Sequence, residues 1–168
     1  MSIWVGNRDG GDLVDKDAAA VSVLDHGFTV GDGVFETMRV EGGAPFALTR
    51  HLVRLRASAN AMGMPDPDDA VIRDAVRDVI DFNDDPTTPV GRLRITYTAG
   101  RAPLGSDRGD AVPTLVVATA APTVWPATTS IATVPWTRNE NAATAGVKST
   151  SYADNVVALA WAHDRGAS

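Results

Sequence analysis

The sequence predicts an α+β fold: a small two-layer α/β domain over residues 1–120, a linker at 121–129, and the beginning of a second domain over 130–168. Three observations lead there. Short β-like runs occupy the chain up to residue 48, two helical stretches follow between 49 and 83, and two further β-like runs precede the proline-containing APTVWPATT. Strands, then helices, then strands make an α+β or α/β pattern, and the segment after the break is too small to be a domain by itself.

Each element has its own signal. SIWVG and AVSVL read as strands, as do GVFETMRV and APFAL, which the turn EGG joins. Thr49 is the expected cap of the first helix, Leu52, Leu55, Ala59 and Met62 share one face, and Gly63 ends it. In MPDPDDAVIRDAVRDVIDFN, Asp66 is the expected N-cap, Pro67 sits at N1, and Asp68 and Asp69 complement the positive helix end. Ile72, Ala75, Val76 and Val79 make its buried stripe. GRLRITYTAG and VPTLVVATA are the closing strands, separated by the glycine-rich GRAPLGSDRGD. Beyond the linker, SIATVP reads as a strand and TRNENAATAG as a loop. Ser151 and Asp154 have capping-box spacing, opening a helix that Gly166 terminates.

Composition narrows the chemistry. The formal charge is −6 without a basic run, which argues against non-specific nucleic-acid binding. There is no cysteine, so thiolate nucleophiles, disulfides and zinc–thiolate sites are excluded. The three histidines, His26, His51 and His163, are too dispersed to pair as HExxH does. The N-terminus has neither the basic nor the apolar stretch of a signal peptide, and no apolar run reaches membrane-spanning length. The expected location is the cytoplasm.

One residue stands out. Of fifteen basic side chains only Lys16 and Lys148 are lysines. Arginine stays protonated, whereas a desolvated lysine is both a nucleophile and a base. Lys148 sits among small, neutral residues in AGVKSTSYADN, and Lys16 sits in the polar DLVDKDAA. A solvated surface lysine is the competing reading for both. Gly31-Asp32-Gly33 lacks the lysine and spacing of a phosphate loop and fits a turn leading into a strand.

Four segments occur in a telling order: LDHGFTVGDGVFETMRV, LTRHLVRLRASANAMGM, RLRITYTAG and PWTRNENAATAGVKSTSYADNVVALAWA. Together they resemble the class IV aminotransferases, the fold type IV pyridoxal-phosphate enzymes, and within them most of all the aminodeoxychorismate lyases. The resemblance implies that residues 1–120 form the N-terminal domain of that fold. It implies that Lys148 carries pyridoxal 5′-phosphate as a Schiff base and that Arg54 holds the cofactor phosphate. It makes Tyr152 a contact of the cofactor's phenolic oxygen. Arg94, Phe35 and Arg138, with Asn139 beside it, become candidates for the substrate side of the pocket. From the residues alone, Arg54 is equally a solvated helix residue, Arg94 an outward strand residue and Phe35 a core aromatic.

The implied reaction is the conversion of 4-amino-4-deoxychorismate to 4-aminobenzoate and pyruvate, a step towards folate. Transamination of branched-chain or D-amino acids is the alternative with the same residues. In either case the substrate is a small amine bearing a carboxylate, and a homodimer is expected. Family chains continue well past the helix after the lysine, into the acid that pairs with the pyridine nitrogen and further phosphate-binding turns. The sequence is therefore expected to be the first part of a longer protein. A catalytically inactive dimerisation or binding module is the reading from a different class.

Overall fold

The computed structural model describes residues 1–167. Six strands form one antiparallel sheet, and the longer helices pack on one of its faces. Along the chain come β1 (Ser2–Asn7), β2 (Gly10–Asp15), α1 (His26–Thr29), β3 (Gly33–Glu41) and β4 (Ala44–Pro45). Then follow α2 (Leu48–Ala61), α3 (Asp69–Asn83), β5 (Arg92–Thr98), β6 (Thr114–Ala120) and α4 (Ala153–His163). The spatial order is β2-β1-β6-β5-β3-β4.

The core lies between sheet and helices. Alternation on β3 and β5 sends Val34, Met38, Val40, Leu93, Ile95 and Tyr97 towards it. Leu52 and Leu55 of α2 and Ile72, Val76 and Val79 of α3 meet them, each at most 2% exposed. The stripe expected on α3 is buried throughout, and that on α2 is buried at Leu52, Leu55 and Ala59, while Met62, just past the helix, is only partly buried against the core.

Several expected elements differ, each for a local reason. The strand β2 is additional to the expected elements, and the tight-turn signal NRDG before GDLVD accounts for it. Asn7 pairs with Gly10 across the turn, and Trp4 covers the facing glycines Gly6 and Gly11. AVSVL is not a strand: Ser22 takes the Leu24 and Asp25 amides through its hydroxyl and carbonyl, and this local turn replaces a ladder. APFAL contributes only Ala44–Pro45. SIATVP is not a strand either, and its Ile131 is 90% exposed, so no apolar face is buried there.

The caps shift as well. Ala47, in the left-handed region at φ 52°, precedes α2, because the Thr49 hydroxyl instead accepts from Arg73 and ties α2 to α3. Asp68 caps α3 in place of Asp66, accepting from the Ala70 and Val71 amides. Tyr152 precedes α4 without a side-chain cap, since Ser151 Oγ donates to the Gly31 carbonyl. Gly166 does take the positive φ that closes the last turn.

A second set of bonds fixes the loop between β5 and β6. Arg108 donates to both oxygens of Asp32 at 2.6 and 2.7 Å and to the carbonyls of Met62 and Gly63. The fully buried His26 donates from Nε2 to the Pro103 carbonyl at 2.9 Å. The turn before β3, the end of α2 and the glycine-rich loop thus hold one another.

Candidate active site

The position of Lys148 follows from how β3 is edged. β4 pairs only with Val40 and Glu41, at the far end of β3. Near the start of β3 the same edge is taken by the lysine segment, with Ser149 bridging Val34 in antiparallel fashion. The Phe35 amide donates to the Lys148 carbonyl at 3.1 Å, and the Thr150 amide to the Gly33 carbonyl at 2.7 Å. The Lys148 amide donates to Ser58 Oγ of α2 at 3.3 Å. The backbone on either side of the lysine is therefore fixed to both layers.

This pairing sets the side-chain directions. Lys148 lies opposite Phe35 and shares its face, away from the helices. Its Nζ stands 4.0 Å from the Phe35 ring centroid. Tyr152 packs edge-on against the same ring at 5.0 Å, with Lys148 Nζ 5.7 Å from the tyrosine centroid. Arg94, from the neighbouring β5, places its guanidinium 3.8 Å from the Phe35 centroid. Arg94 is exposed as a residue, yet its charged end rests on the ring, and this desolvation draws its pKa below the usual arginine value. Its Nε donates to Thr96 Oγ1.

The next residue along β3 faces the other way. Glu36 shares the helix-side face with Val34 and Met38 and is fully buried. Arg54 donates Nε to Oε1 at 2.7 Å and Nη2 to Oε2 at 2.6 Å. His51 Nδ1 donates to Oε2 at 2.7 Å. Burial pushes the Glu36 carboxyl up, but these bonds outweigh it and hold the group below the ordinary glutamate range. Arg54 is raised in turn, chiefly by its bonds to Glu36.

Arg54, Lys148, Tyr152 and Arg138 all line one open cleft of about 770 Å³ at this edge of the sheet. Arg138 reaches across it to Asn155 Oδ1 at 3.0 Å. Phe35 and Arg94 stand behind Lys148 and Tyr152 instead of lining the cleft. A wider cleft of about 880 Å³, bordered by Arg39, Arg92 and Trp125, lies at the far end of β3 and contains none of the six sequence-derived site residues. Among the described residues no cluster suited to a metal ion occurs, and no helix is long and apolar enough to cross a membrane.

Sequence reasoning passed over Glu36, His51 and Ser58. A charge at a core position of the alternating GVFETMRV was the available signal for Glu36. His51, Arg54 and Ser58 then follow at helical spacing on α2.

An amine and an arginine fork that line one open cleft of small-molecule size define a candidate site for a phosphorylated carbonyl cofactor. The chemistry of these groups suits pyridoxal phosphate, since an amine can hold an aldehyde and a guanidinium a phosphate. A family model described as amino-transferase class IV matches residues 33–168. The chain belongs to this family, whose members are pyridoxal-phosphate enzymes acting on amino-acid substrates.

Known proteins agree with that placement. A D-alanine aminotransferase from Bacillus licheniformis is 32% identical over 94 residues, 55% of this chain and 32% of that enzyme. A bifunctional aminodeoxychorismate lyase/D-amino acid transaminase from Mycobacterium tuberculosis is 41% identical over 71 residues, 42% of this chain and 25% of that protein. The structure of a fold IV-transaminase from Curtobacterium pusillum superposes with a TM-score of 0.80 at 32% identity, over 99% of this chain and 61% of that one. The six-stranded sheet and its helices correspond to the N-terminal part of such structures. The chain spans less than two thirds of the length of these relatives.

Proposed function

We propose that Lys148 carries pyridoxal 5′-phosphate and that the protein converts 4-amino-4-deoxychorismate to 4-aminobenzoate and pyruvate. The observation that supports the cofactor reading is the convergence of Lys148, Arg54 and Tyr152 on one cleft, with the lysine backbone held by Phe35 and Ser58; the choice of the lyase reaction rests on the resemblance of the lysine segment. When bound, the cofactor supplies an electron sink for the substrate's amine carbon. Arg54 presents a fixed positive fork to the phosphate. Lys148 would hold the cofactor through its amine, and its free amine would serve as the proton carrier. Phe35 and Tyr152 wall the amine off from bulk water on one side. Arg138, on the cleft wall, offers a charge for a substrate carboxylate, whereas Arg94 lies against the Phe35 ring outside it.

D-Amino-acid transamination is the second reading, favoured by the similarity to a D-alanine aminotransferase and to a protein whose name joins both activities. Branched-chain substrates fall under the same reading. Residues 1–120 act as the smaller domain, 121–129 as linker and 130–168 as the beginning of the cofactor-binding domain, within a homodimer.

Borohydride reduction in the presence of pyridoxal phosphate, followed by peptide mass analysis, tests the assignment. The cofactor mass should be retained on the peptide containing Lys148. Its absence there would exclude the enzyme reading for this chain and favour a binding module. Pyruvate release from aminodeoxychorismate, set against keto-acid formation from D-alanine or branched-chain amino acids, separates lyase from transaminase.

A further inference from the structure

The carboxylate of Glu36 is the least expected charge in the core. It occupies a helix-facing position of β3, fully buried, between Val34 and Met38. An ionised carboxylate there is costly unless its oxygens are satisfied. Three hydrogen bonds satisfy it, two from Arg54 and one from His51. All three donors come from one turn of α2, and Ser58, one turn further, holds the Lys148 amide. A single helix stripe therefore fixes both the arginine and the lysine segment.

The form of the Arg54–Glu36 contact is informative. The carboxylate takes the side edge of the guanidinium, Nε and Nη2. Nη1 makes no hydrogen bond among the described residues, and Arg54 lines the cleft with its side chain 54% exposed. A planar guanidinium held along one edge has its plane and its opposite edge fixed. That remaining edge is the part available to an anion in the cleft.

We propose that Glu36 is a positioning residue for the cofactor phosphate, acting through Arg54, with His51 holding the second carboxylate oxygen. The inference rests on the reading of Arg54 as the phosphate holder. Glu36 does not touch the ligand. It removes the rotational freedom that an exposed arginine otherwise loses only on binding. It also cancels the Arg54 charge at long range, so the site selects a phosphate by close hydrogen-bond geometry more than by its field.

The test compares pyridoxal phosphate with unphosphorylated pyridoxal, each titrated and trapped on Lys148 by borohydride. Variants are read against the unaltered protein, so intrinsic differences between the two aldehydes cancel. Glu36→Gln should lower the preference for the phosphorylated aldehyde about tenfold and leave pyridoxal affinity within about twofold. Arg54→Gln should lower it at least as much, and the double substitution no further. If Glu36→Gln is unfolded by circular dichroism, Glu36→Asp, which withdraws the carboxylate by one methylene, is read in the same way. Equal weakening of both aldehydes by the Glu36 variant, or no change in preference while Arg54→Gln abolishes it, overturns the positioning role alone. An unchanged preference in Arg54→Gln overturns the reading of Arg54 and this inference with it.

Discussion

Replacing Arg54 with methionine isolates what the buried Glu36 carboxylate needs. Methionine retains the apolar reach of the side chain and removes two of the three hydrogen bonds to the acid. Removing one partner of a buried ion pair costs about 3–5 kcal/mol. Arg54 is 54% exposed, so solvent already screens part of the attraction, and the expected loss near neutrality is about 2–3 kcal/mol. For a protein of this size that lowers Tm by roughly 4–12 °C.

The pH dependence has a definite sign. In the unaltered protein the folded carboxyl lies below its unfolded value. Its stabilisation is therefore present above the unfolded glutamate pKa and is lost as pH falls through the folded one. Without Arg54, burial dominates and the folded carboxyl moves above the unfolded value. Stability is then intact below the unfolded pKa and declines as pH rises. The gap between the two proteins should widen from about pH 4 to about pH 7. Urea unfolding followed by circular dichroism at both ends measures it. An equal gap at the two values, or one below about 1 kcal/mol near neutrality, would refute the ion-pair account.

Other perturbations test the frame around the site. Lys148→Ala should eliminate the borohydride-trapped pyridoxal phosphate adduct, and an adduct migrating to Lys16 would show that neighbourhood plays no part in the choice of lysine. Asp32→Asn removes the bidentate partner of Arg108, so trypsin should cut after Arg101 and Arg108 several times faster; unchanged cleavage would mean that the Met62 and Gly63 carbonyls alone hold the loop. Gly100→Ala should cost at least about 2 kcal/mol by thermal melting, because Gly100 has φ +84° and an added Cβ would run into the Val112 carbonyl; an unchanged Tm would contradict that geometry.

Much of the scaffold was legible in the sequence. The stripes of α2 and α3 announce themselves because one face of a helix must be apolar to be buried, and β3, β5 and β6 because their alternation is regular. Caps and short strands were less legible, since Thr49 and Ser151 have several partners open to them and only the fold decides among them. The site divides in the same way. The rarity of lysine and the order of the motifs point to Lys148, whereas Glu36 and His51 acquire meaning only when β3 and α2 are seen face to face. SIATVP has strand character yet stays irregular with Ile131 exposed, because strand propensity needs a buried face to pack against.

The two attachments of the lysine-bearing segment make the chain between them a tether of adjustable length. Ala120 is still bonded to Gly91 at the end of β6, and Lys148 is bonded to Phe35 at the start of β3. Whatever happens between those points, the amine arrives at the same place. Lengthening a flexible excursion adds only about 0.6 kcal/mol per doubling. Residues added or lost between 121 and 128 should therefore be absorbed by the excursion. Within 148–150 the tolerance vanishes, because a slip of one residue against β3 would turn Lys148 to the helix side and present Ser149 in its place. Variation among natural or engineered versions of this chain should accordingly concentrate ahead of the lysine and stop abruptly at it.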